Sequence, residues 1–361
     1  MPSTTLPKLR DRLAQAISDD CKKHEPPEQL PCSEWVAMSA LQKAIRRNEP
    51  ELALRAAETL FRATPDRVWR RIGISAVEDV GIADFESLSL AVAGLAGKRW
   101  RAEIGGELAV ASFLIRRLCA APKCRATDDL LMIADTHPKL AKHRLDMSAG
   151  AASDSLDLLW ATDNIEEQAV AVWSLNAFLR DKPSPKRSYR DPYLLAEEYE
   201  SLGVPSYVLE ICQEGFKKTR ETLALLFPLI WLAKPACGEV LDDDLPSQGF
   251  VNGVPLWALD KFTREGREAF RRFLLTDCKS ASWIKAHISR SGQIDVLGLA
   301  VFAVEGGQMK KRLRWELADR LRATWQRECL SRHCPDGTEL LALLRADIEI
   351  LNTARIKCLS F

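Results

Sequence analysis

The stretch TPDRVWRRIGISAVEDVGIAD, residues 64–84, sets the fold class of this chain. Thr64 and Pro65 have the form of a helix N-cap followed by proline at the first helical position. The apolar residues after them recur at helical spacing: Val68, Trp69, Ile72 and Val77. Gly81 then supplies a left-handed helix end, and Asp84 can cap the next helix. The stretch therefore predicts helices joined by short turns.

The same pattern extends in both directions. Helical spacing predicts a helix over 36–48, a second from Pro50, another over 88–95 and another over 107–119, whereas bounded period-two runs are missing. The apolar stretch Leu223–Ala233 is about half the roughly 20 residues of a bilayer span and contains a proline, so it predicts a buried helix. We predict an all-α, multi-helix fold.

Composition shifts divide the chain into four parts. We expect a polar leader over 1–32, a collar-like helical domain over 33–180, a linker over 181–193 and a C-terminal helical domain with a basic surface over 194–361. The linker, DKPSPKRSYRDPY, has three prolines and four basic residues and cannot bury an apolar face.

Length and charge indicate a globular chain without an overall charge preference. It has 361 residues, 51 basic against 50 acidic side chains and 47% hydrophobic content. Its ten cysteines are spread out and do not form the dense framework of a small secreted domain. Residues 1–30 lack an apolar signal region. We therefore expect reduced thiols, no membrane partner and a cytoplasmic location.

The sharpest catalytic signatures are missing from the sequence. No phosphate-binding loop is present, so we expect no ATP hydrolysis, and no zinc-protease, serine-hydrolase or paired C-x-x-C motif is found. Cys329, His333 and Cys334 fit a buried thiol beside a helix-terminal histidine better than a zinc site, because a fourth ligand is not evident. Cys119 and Cys124 are a weaker pair still. We predict no catalytic residue, cofactor or metal.

An acidic cluster leaves a nuclease hypothesis open. Asp242, Asp243 and Asp244 follow Glu239 in a segment bounded by Gly238 and Gly253, and paired carboxylates can hold Mg²⁺. A metal-dependent nuclease would use four residues: Glu239, Asp242, Asp244 and Asp260. A solvated acidic loop is the favoured interpretation.

Basic residues concentrate in one section of the chain. Residues 261–327 hold 15 basic against 7 acidic side chains, so this section is about +8 and the remainder about −7. Arg264, Arg267 and Arg271 share one predicted helix face. Four more basic residues are predicted to begin a further helix, with Trp315 and Trp325 interleaved: Lys310, Lys311, Arg312 and Arg314. These seven residues could contact DNA phosphates without sequence preference. The alternative is a solvated helix exterior with intrahelical acidic partners, namely Glu265, Glu268, Glu316 and Asp319.

Four segments in order carry a resemblance to a known module. They are Ser39-Ala-Leu-Gln-Lys-Ala-Ile-Arg46, Pro50-Glu-Leu-Ala-Leu54, Ala76-Val-Glu-Asp-Val-Gly-Ile-Ala-Asp84 and Ala121-Pro-Lys-Cys124. Over residues 33–135 the chain resembles the C-terminal, collar-forming domain of the AAA+ replication-associated recombination ATPases, bacterial relatives of the Werner-helicase-interacting ATPase. Val77 and Phe85 depart from the family's usual serine and proline.

The resemblance implies a homo-oligomeric helical protein of DNA metabolism, without the ATPase, whose nucleotide-binding region has no counterpart here. From the residues themselves, Glu78 and Asp79 can pair with Arg70 or Arg71, so we expect Glu78, Asp79, Gly81 and Asp84 to organise the helical hairpin or an oligomer contact.

These observations lead to one main hypothesis and two others. The main one is a non-catalytic DNA-associated protein that regulates or assists replication, repair or recombination, with DNA and replication or repair proteins as expected partners. The others are a helical protein–protein scaffold without nucleic acid and the metal-dependent nuclease.

Overall fold

The chain folds as the predicted all-α protein. The computed structural model describes residues 5–20, 26–180, 192–235, 238–246, 248–330 and 333–359. The structure is 74% helical, and its sheets are short and two-stranded. None of the described helices combines the length and apolar character needed to cross a bilayer.

The N-terminal region is a compact group of helices joined by short turns. Their bounds are α1 (Thr5–Asp19), α2 (Glu34–Arg47), α3 (Pro50–Ala63), α4 (Pro65–Ser75), α5 (Phe85–Gly94), α6 (Lys98–Glu103), α7 (Glu107–Ala120) and α8 (Ala126–Thr136). A π-helical turn, Ala76–Val80, and a 3-10 turn, Gly81–Asp84, join α4 to α5. Helices α2, α3, α4, α5 and α7 confirm the five helices predicted from periodicity.

Helix α1 occupies much of the segment expected as a polar leader, residues 1–32. Leu9, Leu13 and Ile17 are buried in the core, mainly against α5. They recur every four residues and form one apolar stripe on an otherwise charged helix, which a composition average conceals. The stretch after α1 agrees better with expectation, because residues 26–30 are irregular.

The middle of the chain continues with helices. A 3-10 turn, Pro138–Leu140, precedes them, and their bounds are α9 (Ala141–Ala149), α10 (Ala152–Ala161), α11 (Ile165–Arg180), α12 (Pro192–Ser201), α13 (Ser206–Thr219) and α14 (Leu223–Leu232). Helix α14 contains Pro228 and is buried from Leu223 to Trp231, which confirms the predicted buried helix. Residues 181–191 of the predicted linker lie outside the described residues.

The C-terminal region combines short strands with helices. The strands are β1 (Glu239–Asp242), β2 (Phe250–Val251), β3 (Val254–Pro255) and β4 (Lys311–Arg314). The helices are α15 (Arg264–Leu274), α16 (Lys279–His287), α17 (Gln293–Val301), α18 (Glu316–Thr324), α19 (Gly337–Ala346) and α20 (Ile348–Leu359). A 3-10 turn, Leu256–Ala258, precedes α15, and π-helical turns follow α17 and α18 at Phe302–Gly306 and Trp325–Cys329. Strands β1 and β4 are antiparallel, as are β2 and β3.

One apolar core extends through both halves of the chain. Its buried side chains form a continuous cluster from Leu9 in α1 to Ala354 in α20. Helix α8 packs against α11, α14 and α18, so the end of the N-terminal region lies among elements of both later regions. The residues before and after the predicted linker therefore share a core.

Candidate nucleic-acid interface

Helix α15 presents three arginines to solvent. Thr263 caps the helix by accepting a hydrogen bond from the Gly266 N–H at 2.9 Å. The apolar face packs mainly on α20, with further contacts to α16 and α17, and it buries Ala269, Phe270, Phe273 and Leu274. Arg264, Arg267 and Arg271 lie on the opposite face and are exposed, so the predicted shared face is confirmed.

Two of these three arginines have no side-chain partner in the described part of the chain. Arg271 pairs with Glu268 at 3.3 Å, and Glu268 also binds Arg272 at 3.0 Å. Within the described residues, the side chains of Arg264 and Arg267 form no ion pair or hydrogen bond, and Glu265 does not pair with either of them. The intrahelical acidic residues therefore neutralise only the end of this face, and two guanidinium groups near the start of α15 remain free to bind an anion.

The second basic segment is a strand, which corrects the prediction that Lys310, Lys311, Arg312 and Arg314 begin a helix. Strand β4 pairs with β1, so that Glu239 lies opposite Arg314 and Asp242 opposite Lys311. The acidic segment expected as a loop supplies this partner strand. Opposite charges across an antiparallel pair stabilise it, and the pairing places the chain's densest acidic run beside one of its densest basic runs.

Carboxylates neutralise most of the β4 charges. The Lys310 ammonium lies 2.8 Å from Asp242. Arg312 binds Asp243 at 2.6 Å and Asp319 at 3.0 Å, and Arg314 binds Asp319 at 3.0 Å. Lys311 donates to the carbonyl of Ala120 at 3.4 Å. Three carboxylates thus reduce the positive charge of the 261–327 section. Asp319 belongs to that section, whereas Asp242 and Asp243 lie outside it.

The two basic segments belong to different elements with different neighbours. Whereas α15 packs on α20, β4 pairs with β1 and continues to the N-terminal region, where Lys123 N–H donates to Lys311 O at 2.6 Å and Leu313 N–H donates to Lys123 O at 2.8 Å. Of the seven predicted DNA-binding residues, the three arginines of α15 are the ones that keep an open, shared face.

The turn motif of residues 76–84 lies inside the molecule. Glu78 and Asp79 occupy the π-helical turn after α4, and Asp79 is fully buried. Gly81 has a φ of +53°, and a Cβ there would lie 2.6 Å from the carbonyl oxygen of Cys124. Asp84 accepts a hydrogen bond from the Ser87 N–H at 2.9 Å, which confirms the predicted cap of α5.

Arg46 and Arg125 hold the two motif carboxylates, which corrects the expected pairing with Arg70 or Arg71. Asp79 Oδ1 lies 2.5 Å from Arg46 Nε and 2.6 Å from Arg125 Nη1, and Glu78 Oε1 binds the same two guanidinium groups at 2.7 and 2.8 Å. Arg70 instead pairs with Glu221, and Arg71 donates to Gln42. Sequence reasoning missed Arg125 entirely.

This buried cluster connects the N-terminal region to the C-terminal half. Arg46 Nη1 donates to the carbonyl of Gly306 at 2.7 Å. The guanidinium groups of Arg46 and Arg125 lie over the ring of Phe302, 5.5 and 5.0 Å from its centroid. Phe302 and Gly306 bound the π-helical turn after α17, so the motif acts as an internal contact between distant parts of the chain.

Burial and the arginines shift the pKa values of nearby carboxyls in opposite directions. Burial alone would raise the pKa of Glu78, but Arg125 and Arg46 outweigh it and lower that pKa to about 2. Burial raises the pKa of Asp129 to about 6, although Arg125 and Arg322 oppose the rise. Asp129 and both of these arginines line a small, partly open cavity beside Phe302.

The nuclease carboxylates are not assembled into a site. Asp260 is bound by the buried Lys43 at 2.7 Å, whereas Asp242 lies on β1 and binds Lys310. Among the described residues, no group of three or more histidine, cysteine or acidic side chains is placed to hold a metal ion.

The cysteines described in the structure are free thiols. Cys119 and Cys124 are both buried, and burial raises the pKa of Cys119 to about 12. Cys124 Sγ accepts a hydrogen bond from Trp315 Nε1 at 3.5 Å. Cys334 is a buried thiol that donates to Leu330 O, in agreement with the favoured interpretation, and the side chain of Cys329 lies outside the described residues.

Comparison with protein-family models, with curated proteins and with solved structures gave no significant match for this chain.

Proposed function

We propose that this protein is a non-catalytic, all-helical DNA-associated protein that contacts the phosphate backbone through Arg264, Arg267 and Arg271 of α15. The contact does not read sequence, because phosphate groups are the same at every base pair. Its biological role is that of an accessory or regulator of replication, repair or recombination, and its location is the cytoplasm.

The observation that carries the proposal is the open arginine face of α15. Arg264 and Arg267 are exposed and have no partner among the residues that the structure describes, and they stand in the first turn of the helix, where backbone N–H groups and the helix dipole also favour an anion. Guanidinium groups bind phosphate through charge-assisted, often bidentate hydrogen bonds. A phosphate backbone is the extended polyanion that fits three arginines in a row.

The collar resemblance over residues 33–135 supports the assignment to DNA metabolism. It also supports a homo-oligomer and an interaction with replication or repair proteins. Light scattering coupled to size-exclusion chromatography tests the oligomer directly: a mass above the 40.4 kDa of one chain is expected at micromolar concentration. A mass of one chain at every concentration would remove the oligomer from the proposal.

The proposal is tested by fluorescence anisotropy of labelled oligonucleotides at low salt. The wild-type chain is compared with R264A/R267A/R271A and with the control K98A/R99A/K142A, which removes the same charge from exposed positions on α6 and α9. We expect the α15 variant to lose at least tenfold in affinity and the control to change by less than threefold. Equal losses in both variants would show that only total charge matters and would contradict the proposal.

The protein–protein scaffold is the second candidate, and the neutralised β4 segment favours it. Salt bridges to Asp242, Asp243 and Asp319 remove much of the basic surface on which the DNA hypothesis was first based. If the wild-type chain binds neither single-stranded nor duplex DNA at low salt, the scaffold function replaces the DNA function.

A further inference from the structure

Phe262 stands out among the aromatic side chains. It is 74% exposed, more than any other aromatic residue in the described part of the chain, where the next values are 51% for Phe250 and 49% for Trp160. A fully exposed phenylalanine forgoes the stabilisation of about 1.5–3 kcal/mol that burial would provide. Its position two residues before Arg264 places it beside the open arginine face.

The backbone under Phe262 is firmly held. Asp260 Oδ1 accepts a hydrogen bond from the Phe262 N–H at 2.9 Å, and Thr263 Oγ1 donates to Asp260 O at 3.0 Å. Asp260 Oδ2 in turn binds Lys43 Nζ and Ser39 Oγ, each at 2.7 Å, which anchors the turn to α2. The exposure of the ring is therefore imposed by a turn fixed to the core.

Gly266 makes this turn possible. A Cβ at Gly266 would lie 2.1 Å from the carbonyl oxygen of Asp260, so no other residue permits the turn to close onto the first turn of α15. The closed turn brings Phe262 to the N-terminal end of α15. The Lys261 ammonium lies 5.3 Å from the centre of the Phe262 ring.

An exposed ring next to unpaired arginines matches the chemistry of an unpaired DNA strand. Aromatic side chains stack on nucleic-acid bases, and arginines along the same path bind the phosphates. Along the axis of α15, Arg264 and Arg271 are about 10 Å apart at about 1.5 Å per residue. That distance is the rise of about three stacked nucleotides at about 3.4 Å each. In a duplex the faces of the bases are already stacked on one another, so the ring finds a partner only in a single strand.

We propose that Phe262 is a stacking platform for a base of single-stranded DNA whose phosphates are bound by Arg264, Arg267 and Arg271. This inference rests on the proposed function and adds to it a strand preference and a residue that produces the preference. The surface therefore binds single-stranded DNA more tightly than duplex of the same sequence.

The test uses the full chain, a labelled mixed-sequence 20-nucleotide strand and its duplex, with anisotropy at low salt. We expect F262A to weaken single-strand binding by about 5- to 150-fold, the range measured for loss of one base–aromatic contact, and to change duplex binding by less than about twofold. F262W retains a stacking ring and should bind as the wild type does. The control is L275A, which removes an 83% exposed apolar side chain without an aromatic face at the other end of α15.

A spectroscopic reading accompanies the affinities. In strands that carry 2-aminopurine, stacking on Phe262 changes the fluorescence of the base on binding, and F262A should abolish that change at saturating protein. An unchanged thermal midpoint shows that the variant is folded, as an exposed position leads us to expect.

The outcomes separate the inference from the proposed function. If R264A/R267A/R271A loses binding while F262A and L275A both bind the single strand as the wild type does, the stacking inference is overturned and the phosphate contact survives. If no variant differs because the wild type does not bind, both are overturned. Tighter binding of an RNA strand of the same sequence than of the DNA strand would overturn the assignment of DNA as the ligand.

Discussion

Asp79 illustrates how much a single buried charge can contribute to this fold. Its carboxylate is fully buried and accepts hydrogen bonds from Arg46, Arg125 and Gln42. In D79A the two guanidinium groups remain buried with less negative charge beside them, so we expect the free energy of unfolding to fall by about 3–5 kcal/mol. Urea unfolding followed by circular dichroism measures this.

The control for D79A is E103A, which breaks an exposed ion pair with Arg99 on α6. Exposed pairs contribute about 0–1 kcal/mol, so E103A should hardly change the unfolding midpoint. Similar urea midpoints for D79A and E103A would contradict the large contribution to stability that we assign to Asp79.

Asp129 should give the stability of the protein a characteristic pH dependence. Burial raises its pKa to about 6 in the folded chain, against about 3.9 in an unfolded one. Between these values the folded state holds a proton that the unfolded state has lost, so the free energy of unfolding falls as pH rises through this window and levels off above about pH 7. Arg125 and Arg322 face this carboxyl and limit the effect.

The D129N variant removes this titration and also removes a charge that helps to raise the pKa of the neighbouring Asp128. The neutral amide does not titrate, so relative to wild type it should gain stability from pH 5 to pH 8, on the order of 1 kcal/mol. Urea unfolding at four pH values measures the difference, with E103Q as an exposed control. A constant difference between D129N and wild type at all four pH values would refute this account of Asp129.

At the residue scale the sequence predicted local contacts well and distant ones poorly. The cap at Asp84 and the positive φ of Gly81 follow from residues within three or four positions, and both are present. The two arginine partners of Asp79 lie 33 and 46 residues away. Arg46 and Arg125 reach Asp79 through long side chains from segments that are distant in sequence, and only the tertiary fold brings these segments together. The prediction of the nearby Arg70 or Arg71 as partners was therefore wrong.

Gly81 controls how the π-helical turn Ala76–Val80 passes into α5. Its φ of +53° disfavours any side chain, and a Cβ would lie 2.6 Å from the backbone carbonyl of Cys124. We expect G81A to lower the free energy of unfolding by about 2–4 kcal/mol, from backbone strain and the displaced 121–124 segment. The matched control is G97A, where φ is −62° and no heavy atom lies within 4 Å.

Thermal or urea unfolding compares the two glycine variants. G97A should remain within about 1 kcal/mol of wild type. Equal free energies of unfolding for G81A and G97A would show that the close approach of Gly81 to Cys124 does not constrain the turn before α5.

Strand β4 and helix α15 should behave differently as charged elements. Lys310, Arg312 and Arg314 in and beside β4 are bound to carboxylates, and freeing them for DNA would leave those carboxylates unpaired. We expect the variant K310A/R312A/R314A to change DNA affinity by less than about threefold while lowering the unfolding midpoint. Anisotropy and urea unfolding on the same preparation measure both quantities. A tenfold loss of affinity with an unchanged midpoint would assign the DNA contact to β4 instead.

At the scale of elements, periodicity predicted long amphipathic helices and failed for short segments. Strand β4 has four residues, and its pairing partner β1 lies about 70 residues earlier, so nothing in the local sequence identifies it as a strand. Helix α1 was missed for another reason, since its apolar stripe of Leu9, Leu13 and Ile17 is narrow among charged residues.

For the molecule as a whole, the all-α class was predictable because nearly every segment has helical periodicity. The connection of the two halves was not predictable. The Arg46 to Gly306 contact, the bridge from Lys123 to β4 and the packing of α8 on α18 all join residues far apart in sequence. The candidate DNA site was half predicted: the open α15 face was expected, whereas neutralisation of β4 and the exposure of Phe262 required the structure.

The measurement that tests the central claim most directly is the salt dependence of duplex DNA binding by the wild type, R264A/R267A/R271A and K98A/R99A/K142A. The slope of log K against log salt concentration counts the phosphates neutralised, at about 0.9 per contact. We predict that the α15 variant has a slope shallower by about 2–3 and that the control keeps the wild-type slope. Equal slopes for the wild type and the α15 variant would contradict the claim that these arginines bind phosphate.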